Sequence, residues 1–455
     1  MTESTPPRGI RVLCRFRPQN KIEDSKGGMC CVEFTSKTSL RVKGHDFAFD
    51  RVFDGSATQR DIYREVQPAV QDLLDGYNAT IFAYGQTSSG KTHTMQGPDI
   101  DDPELRGVIP RVIDDIFTRV EQAPENLEFT IRASYLEIYL EKIRDLLDPE
   151  RDNLQVREDR TKGIYVQGQK EVFVASQAEV YEVLHVGAHN RAVSATGMNH
   201  QSSRSHSVFL LAVTCKNTKD NSTRSGKLYL VDLAGSEKVG KTGASGATLE
   251  EAKMINKSLS ALGNVIKALT DGKSQHIPYR DSKLTRILQE SLGGNARTTL
   301  IINCSPSSYN EEETLSTLRF GNRAKTIVNR ATANVERSAA ELKALLAKAE
   351  AEIARLKGII AATSHGDASV LAALGATPAQ APQAAHSADD GEDANAAASA
   401  QLLEMANRLK ELERQVEQLK DEKMQAIDQQ EALRDSLEQK TIELEKSAQR
   451  CAQTE

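Results

Sequence analysis

Gly85-Gln86-Thr87-Ser88-Ser89-Gly90-Lys91-Thr92 fits G-x-x-x-x-G-K-[ST], the pattern of a loop that wraps a polyphosphate. Its glycines let backbone N–H groups turn inward around the anion. Lys91 can reach the outer phosphate oxygens, and the Thr92 hydroxyl can ligate Mg²⁺. The flanks agree. Ala79-Thr80-Ile81-Phe82-Ala83-Tyr84 reads as a short buried strand entering the loop, and residues 91–96 open a helix. Gly97-Pro98 stops that helix within two turns and a helical pattern resumes at Val108, so an inserted loop interrupts it.

Outward from the loop, strand and helix patterns alternate as far as about residue 325, which implies α/β layering around a sheet. Ile10, Val12, Cys14 and Phe16 alternate with Arg11, Leu13, Arg15 and Arg17 until Pro18 ends the run, as in a β-strand. Ile62, Val66, Val70 and Leu73/Leu74 mark one amphipathic helix with Ser56 or Thr58 as its cap. Lys227-Leu228-Tyr229-Leu230-Val231-Asp232 is a buried strand ending in a carboxylate. A longer helix follows over 249–269, with Ile255, Leu259, Leu262, Ile266 and Leu269 on one face.

Past residue 325 the character changes. Residues 326–337 lack helical periodicity and read as an extended connector. Leu342, Leu346, Ala349, Ile353, Leu356 and Ile360 then follow steps of four and three, a short heptad seam over 338–360. Residues 361–400 hold 16 alanines with scattered Gly and Pro and no apolar face, the composition of a flexible hinge. A second seam over 401–455 puts Leu402, Leu409, Val416, Leu437 and Leu444 at a and Met405, Leu412, Leu419, Ala426 and Leu433 at d. Lys423, Gln430 and Lys440 interrupt it, and it reads as a coiled coil. The chain ends inside this seam.

With 455 residues, 39% of them hydrophobic and 27% charged, the chain can hold one large globular domain plus extensions. A net charge of −6 argues against a general nucleic-acid binder, and any anionic partner must meet a local basic patch. Six cysteines without C-x-x-C or zinc spacing read as reduced cytosolic thiols. No apolar run reaches membrane-spanning length, and the polar start is no signal peptide.

Two further clusters carry chemistry. Asn199-His200-Gln201-Ser202-Ser203-Arg204-Ser205-His206 groups hydroxyls around one Arg; alone it reads equally as a polar loop or capping segment. Asp232-Leu233-Ala234-Gly235-Ser236-Glu237 puts a carboxylate at a strand end, where it can reach Mg²⁺ through water. Gly235, three residues on, can offer its N–H to a γ-phosphate.

GQTSSGKT, NHQSSRSH and DLAGSE, in this order and spacing, resemble the kinesin motor domain. Cys14-Arg15-Phe16-Arg17-Pro18, Phe49-Asp50-Arg51-Val52-Phe53, Tyr135-Leu136-Glu137-Ile138-Tyr139 and Tyr279-Arg280-Asp281-Ser282-Lys283-Leu284-Thr285-Arg286 support it, over about residues 8–325. The connector and first seam resemble the neck linker and neck coil of conventional kinesins, closest to fungal versions. The hinge and second coil match in type only.

The resemblance implies a three-layer α/β/α P-loop NTPase motor head (residues 1–325) with a mixed central sheet, followed by C-terminal coiled-coil segments. ATP and Mg²⁺ are the implied ligands. Gly85, Gln86, Thr87, Ser88, Ser89, Gly90, Lys91 and Thr92 would hold the phosphates, and Arg15, Arg17, Pro18 and His93 the base and ribose. Ser202 would join Thr92 on the metal, with Asp232 acting through water. Ser203 and Glu237 would orient the attacking water or relay its proton. Arg204 would pair with Glu237, and Gly235 would report the γ-phosphate. Lys238, Lys241, Lys273, His276, Arg280, Lys283 and Arg286 would form the basic face that meets microtubules; by composition alone they are ordinary loop charges.

A C-terminal neck implies plus-end-directed stepping as a homodimer that carries cargo, with no nucleic-acid partner and no membrane insertion. The polar start, residues 2–8, is expected to pair with the connector. Two rivals stay open at this point, a microtubule-binding scaffold without turnover and a nucleotide-regulated coiled-coil assembly protein.

Overall fold

Alternating side chains give this chain a sheet with two apolar faces. The computed structural model describes residues 8–159, 163–196, 203–237, 247–274, 276–336, 339–363, 403–421 and 423–424. Eight strands form the path of its central sheet: β1 (Arg11–Phe16), β2 (Arg51–Phe53), β3 (Ala79–Tyr84), β4 (Leu127–Tyr139), β5 (Val172–Val174), β6 (His206–Asn217), β7 (Thr223–Asp232) and β8 (Arg297–Cys304). They lie in the order β5-β4-β6-β7-β3-β8-β1-β2. Pairs from β5 to β7 are antiparallel and pairs from β7 to β2 parallel, so the sheet is mixed. The parallel half brings the C-terminal ends of β7, β3 and β8 side by side, with Asp232 opposite Ala83 and Ile302 opposite Tyr84. Ligands of open α/β sheets bind at such ends.

Helices cover both faces. Val12, Cys14, Phe16, Phe82, Tyr84, Leu300 and Ile302 enter a core with Leu259, Leu262, Val265 and Ile266 and with Leu315, Leu318 and Phe320. The intervening Leu13, Ile81, Ala83 and Ile301 enter a second core with Ile62, Val66, Val70, Leu73, Ile113 and Ile116. This is the three-layer α/β/α arrangement that the resemblance implied. Seven helices matter below: α1 (Gln59–Val66), α2 (Pro68–Leu74), α3 (Lys91–Met95), α4 (Val108–Glu121), α5 (Ala247–Thr270), α6 (Glu311–Ala324) and α7 (Ala339–Thr363).

The one helix expected across Ile62 to Leu74 is two. Thr58 caps α1 by accepting the Asp61 N–H, while Asp61 returns the bond in a capping box. Pro68, which has no N–H to donate, starts α2. Gln67 keeps helical dihedrals (φ −49°, ψ −38°), so the interruption is local. The interruption expected after Met95 is there as well. Gly97 has φ +92°, and the Gly107 N–H donates to Gln96 O at 2.8 Å. A Cβ on Gly107 would lie 2.7 Å from the Gln96 and Gly97 backbone. The two ends of the inserted loop therefore touch.

The connector is bound to the head along its first residues. Arg8–Gly9 pairs antiparallel with Val328–Asn329, and Ile327 is buried. Asn329 Nδ2 donates to Ser291 O (3.0 Å), Ala296 O (2.7 Å) and Thr298 Oγ1 (3.1 Å), and its Oδ1 accepts the Gly293 N–H (2.8 Å). Asn334 donates through its N–H to Gly76 O and through Nδ2 to Ser225 O, both at 2.8 Å. Residues 2–7 and Arg337 lie outside the described residues.

The chain divides into two units, Met1–Asn217 with Thr223–Val335, and Thr218–Ser222 with Glu336–Glu455. In the second, α7 ends at Thr363, three residues into the segment read as hinge. Leu356 of α7 is buried against Leu409 and Leu412 of a helix over residues 403–421, with Ile353 and Met405 beside them. Lys357 and Glu413 add an ion pair at 2.8 Å. The two seams thus meet within one chain. Residues 364–402 and the second seam beyond residue 424 lie outside the described residues.

Candidate active site

The phosphate loop joins β3 to α3 by left-handed backbone that its glycines permit: Gly85 has φ +153° and Gly90 φ +102°, with Ser88 at +60° between them. Lys91 is buried, and its Nζ donates to Gly85 O (3.0 Å) and Gln86 O (2.9 Å). Burial pushes its pKa down, while Asp232 and Glu237 pull it back up. Gln86 Oε1 and Ser89 Oγ are buried without a hydrogen-bond partner. Buried polar atoms are nearly always paired, so these two fit a loop built to close on a ligand.

Thr92 Oγ1 donates to Asp232 Oδ2 at 2.6 Å, across 140 residues of sequence. The other carboxylate oxygen, Oδ1, is buried and unpartnered. A hydroxyl and a carboxylate in contact make an oxygen donor set of the kind Mg²⁺ takes. The residues present therefore fit Mg·nucleotide.

The second and third clusters close on the same loop. The Gly235 N–H donates to Ser203 O at 2.9 Å, and the Ser236 N–H to Gly85 O at 3.1 Å. The Glu237 carboxylate accepts from the Thr87 N–H (2.7 Å) and Thr87 Oγ1 (2.5 Å). A Cβ on Gly235 would collide with Thr87 Oγ1 and the Glu237 carboxylate, so a larger residue there would push this pair apart. Arg204 sits half-buried beside Ser203, while the Glu237 carboxylate is taken up by Thr87. Ser202, Lys238 and Lys241 lie outside the described residues.

The base-side residues are placed differently from a simple binding pocket. Arg15 is buried, its guanidinium donating to Gln59 Oε1 (2.8 Å) and Thr94 Oγ1 (2.9 Å); burial lowers its pKa to about 10, so it stays charged at neutral pH. Gln59 Nε2 donates to His93 O at 2.6 Å. Burial, then Arg15, push the His93 pKa down. Arg17 Nε donates to Ser88 O at 2.7 Å, and its fork grips Glu23 at 2.7 and 2.5 Å. Pro18 is exposed, with Gly55 against it.

Three residues of this site went unread in the sequence. Gln59 links Arg15 to His93. Asn303, at the end of β8, donates to Thr94 Oγ1 at 2.8 Å and Gly90 O at 3.3 Å. Glu23, 1% exposed, holds Arg17 and also accepts from the Asn20 N–H (2.9 Å), Ser305 Oγ (2.6 Å) and Asn310 Nδ2 (2.7 Å). The legible signal was Asn20-Lys21-Ile22-Glu23, a capping-box spacing that the structure bears out.

Burial alone would raise the Glu23 carboxyl; bonds from Arg17, Ser305 and Asn20 and the charge of Arg17 outweigh it and hold the pKa at about 2. A depressed carboxyl stabilises the fold above its ordinary titration range and loses that contribution as pH falls through the folded value. Between about pH 6 and about pH 2, denaturant titrations of wild type should lose roughly 3 kcal/mol more than those of Glu23→Gln. Parallel acid limbs would show that Glu23 contributes nothing of the kind.

On the proposed filament side, Lys273, His276 and Arg280 are exposed. Lys283 Nζ donates to Gln155 Oε1 at 2.7 Å. Arg286 keeps only 15% of its side chain exposed and pairs with Glu158 at 2.5 Å; Arg280 lies 3.7 Å from the same carboxylate.

Comparison with known proteins agrees with this geometry. Kinesin heavy chain from Neurospora crassa is 61% identical over 333 residues, 72% of this chain and 36% of that protein. Kinesin-1 heavy chain from Rattus norvegicus is 58% identical over 321 residues, 70% and 33% of the two. The chain thus spans about a third of the length of the curated relatives it matches. A solved structure described as "Structure of a fast kinesin: Implications for ATPase mechanism and interactions with microtubules" superposes with a TM-score of 0.70 at 61% identity, covering 72% of this chain and 94% of that one. The family profile described as Kinesin motor domain matches residues 15–327, from the Arg15 beneath the phosphate loop to the Ile327 where the connector leaves the head, and the chain belongs to that family.

Proposed function

We propose that this chain is the ATP-hydrolysing head and neck of a microtubule motor, plus-end-directed, homodimeric and cytoplasmic. The observation that carries the reading is the meeting of Gly85–Thr92, Ser203 and the Asp232–Glu237 segment around one cleft, with Gly235 bonded to Ser203 and Glu237 to Thr87. Lys91 and the loop amides bind the phosphates. Thr92 and Ser202 would hold Mg²⁺, with Asp232 reaching it through water, and the ion would neutralise charge on the phosphate oxygens. Ser203 and Glu237 orient a water for in-line attack on the γ-phosphorus; its proton passes to this pair, and the bond to the bridging oxygen of ADP breaks. Arg204 closes the site by pairing with Glu237 once Thr87 releases it. The Gly235 N–H registers the γ-phosphate, and the signal reaches α5, which faces the proposed filament surface formed by Lys238, Lys241, Lys273, His276, Arg280, Lys283 and Arg286. Docking of the connector behind Ile327 is the mechanical output.

Phosphate release measured with and without microtubules tests this. Microtubules should accelerate it about tenfold or more, a barrier change of about 1.4 kcal/mol. Absence of turnover would leave a scaffold, and turnover indifferent to microtubules an assembly protein.

A further inference from the structure

His206 opens β6, and its ring is buried, 2% exposed. Nδ1 accepts the Ala234 N–H at 3.0 Å. A ring nitrogen that accepts carries no proton, so the proton sits on Nε2. Nε2 lies 2.7 Å from Ser258 Oγ, to which it donates. Burial, then the positive charges of Arg191 and Lys91, push the His206 pKa down to about 3, which keeps the ring neutral and the tautomer single.

The two partners belong to different machinery. Ala234 precedes Gly235, whose N–H is bonded to Ser203 at the cleft. Ser258 is buried midway along α5, next to Leu259 and one turn before Leu262, which anchor that helix in the core. Buried ring nitrogens are nearly always both paired, so the signal lies in which partners they take. This one spends both nitrogens, one on the backbone of the cleft and one on the helix beneath the proposed filament face.

We propose that His206 is a positioning residue that couples the two sites, tying the Ala234–Gly235 backbone to α5 so that nucleotide and filament each bias the other through one imidazole. The proposal rests on the motor reading above. Coupling of this kind is reciprocal: whatever factor the nucleotide imposes on filament affinity, the filament imposes on nucleotide affinity. A rigid, neutral bridge with a fixed donor and a fixed acceptor transmits displacement in both directions.

The test uses the full chain with Ser258→Ala, His206→Asn, the double variant and Ser258→Thr. Asn keeps an acceptor near the Nδ1 position and loses the far donor. Thr keeps the hydroxyl. Two ratios are measured: microtubule affinity with a non-hydrolysable ATP analogue against ADP, and ADP affinity without against with microtubules. In Ser258→Ala and His206→Asn both ratios should shrink by about fivefold or more, within the usual range of coupling factors. ADP affinity without microtubules should stay within about twofold, a shift under about 0.5 kcal/mol. The double variant should add nothing, and Ser258→Thr should restore wild-type coupling. Unchanged ratios in folded Ser258→Ala, or equal losses in Ser258→Thr, overturn the assignment. A wild type that shows no coupling sinks the motor reading itself, which is a different result from coupled variants. Should His206→Asn fail to fold by its melting curve, the Ser258 pair alone decides.

Discussion

Lys91→Ala should lose tight binding of Mg·ATP. Lys91 is the only cation within the phosphate loop, it is buried, and its Nζ already sits between the Gly85 and Gln86 carbonyls. Truncating one partner of a buried, hydrogen-bonded charge pair costs about 2–5 kcal/mol, which is roughly 30-fold to several thousand-fold in affinity. Titration with a fluorescent ATP analogue reads the loss directly. The fold should survive, because α3 and β3 are held by Asn303, Thr94 and the two cores rather than by the ammonium. A Lys91→Ala protein that hydrolysed ATP normally would remove the loop from the active site.

Glu237→Ala should separate binding from turnover. Its carboxylate makes two bonds to Thr87, and neither touches Lys91, Thr92 or Asp232. Removing it leaves the phosphate cradle whole and frees the Thr87 N–H for a phosphate oxygen, so ATP affinity should hold or rise. Hydrolysis should fall by about 10²–10⁴, the usual contribution of a positioned proton acceptor. Single-turnover measurements separate the two steps. A variant that bound ATP and hydrolysed it as fast as wild type would contradict the role given to Glu237 with Arg204.

The contrast between these two residues and Arg286 shows where sequence reading works. The phosphate loop is legible because its chemistry is local: eight consecutive residues carry the turn, the cation and the hydroxyl. The helix at 247–270 and the strand ending at Asp232 are legible by period alone. Glu23 is legible only as a helix cap, since two of its partners, Ser305 and Asn310, are brought in by tertiary contacts from more than 280 residues away. Arg286 looked like a surface charge, yet Glu158 covers it from a hairpin 128 residues upstream. Asn329 read as one polar residue in a featureless connector; its four bonds to the Ser291–Thr298 stretch exist only once the chain has folded. Local chemistry survives translation into sequence, and long-range pairing of ordinary polar residues does not. The break at Pro68 was readable, and the strong apolar period on either side concealed it.

The touching ends of the loop between α3 and α4 have a consequence for engineering and for divergence. Gly97 and Gly107 fix the exit and re-entry of the chain, and the Gly107 N–H bond to Gln96 keeps the helical track in line. Between them the second half of the loop is fastened back: Arg111 of α4 donates to Pro103 O (2.7 Å) and Glu104 O (3.2 Å), and Gln59 Nε2 to Leu105 O (3.2 Å). Doubling the length of such a loop costs only about 0.6 kcal/mol in closure entropy. The stretch ahead of Pro103 is therefore a socket: a reporter peptide or a regulatory insert can be spliced in beside the nucleotide cleft while the two glycines, Arg111 and Gln59 keep the registration of the cleft.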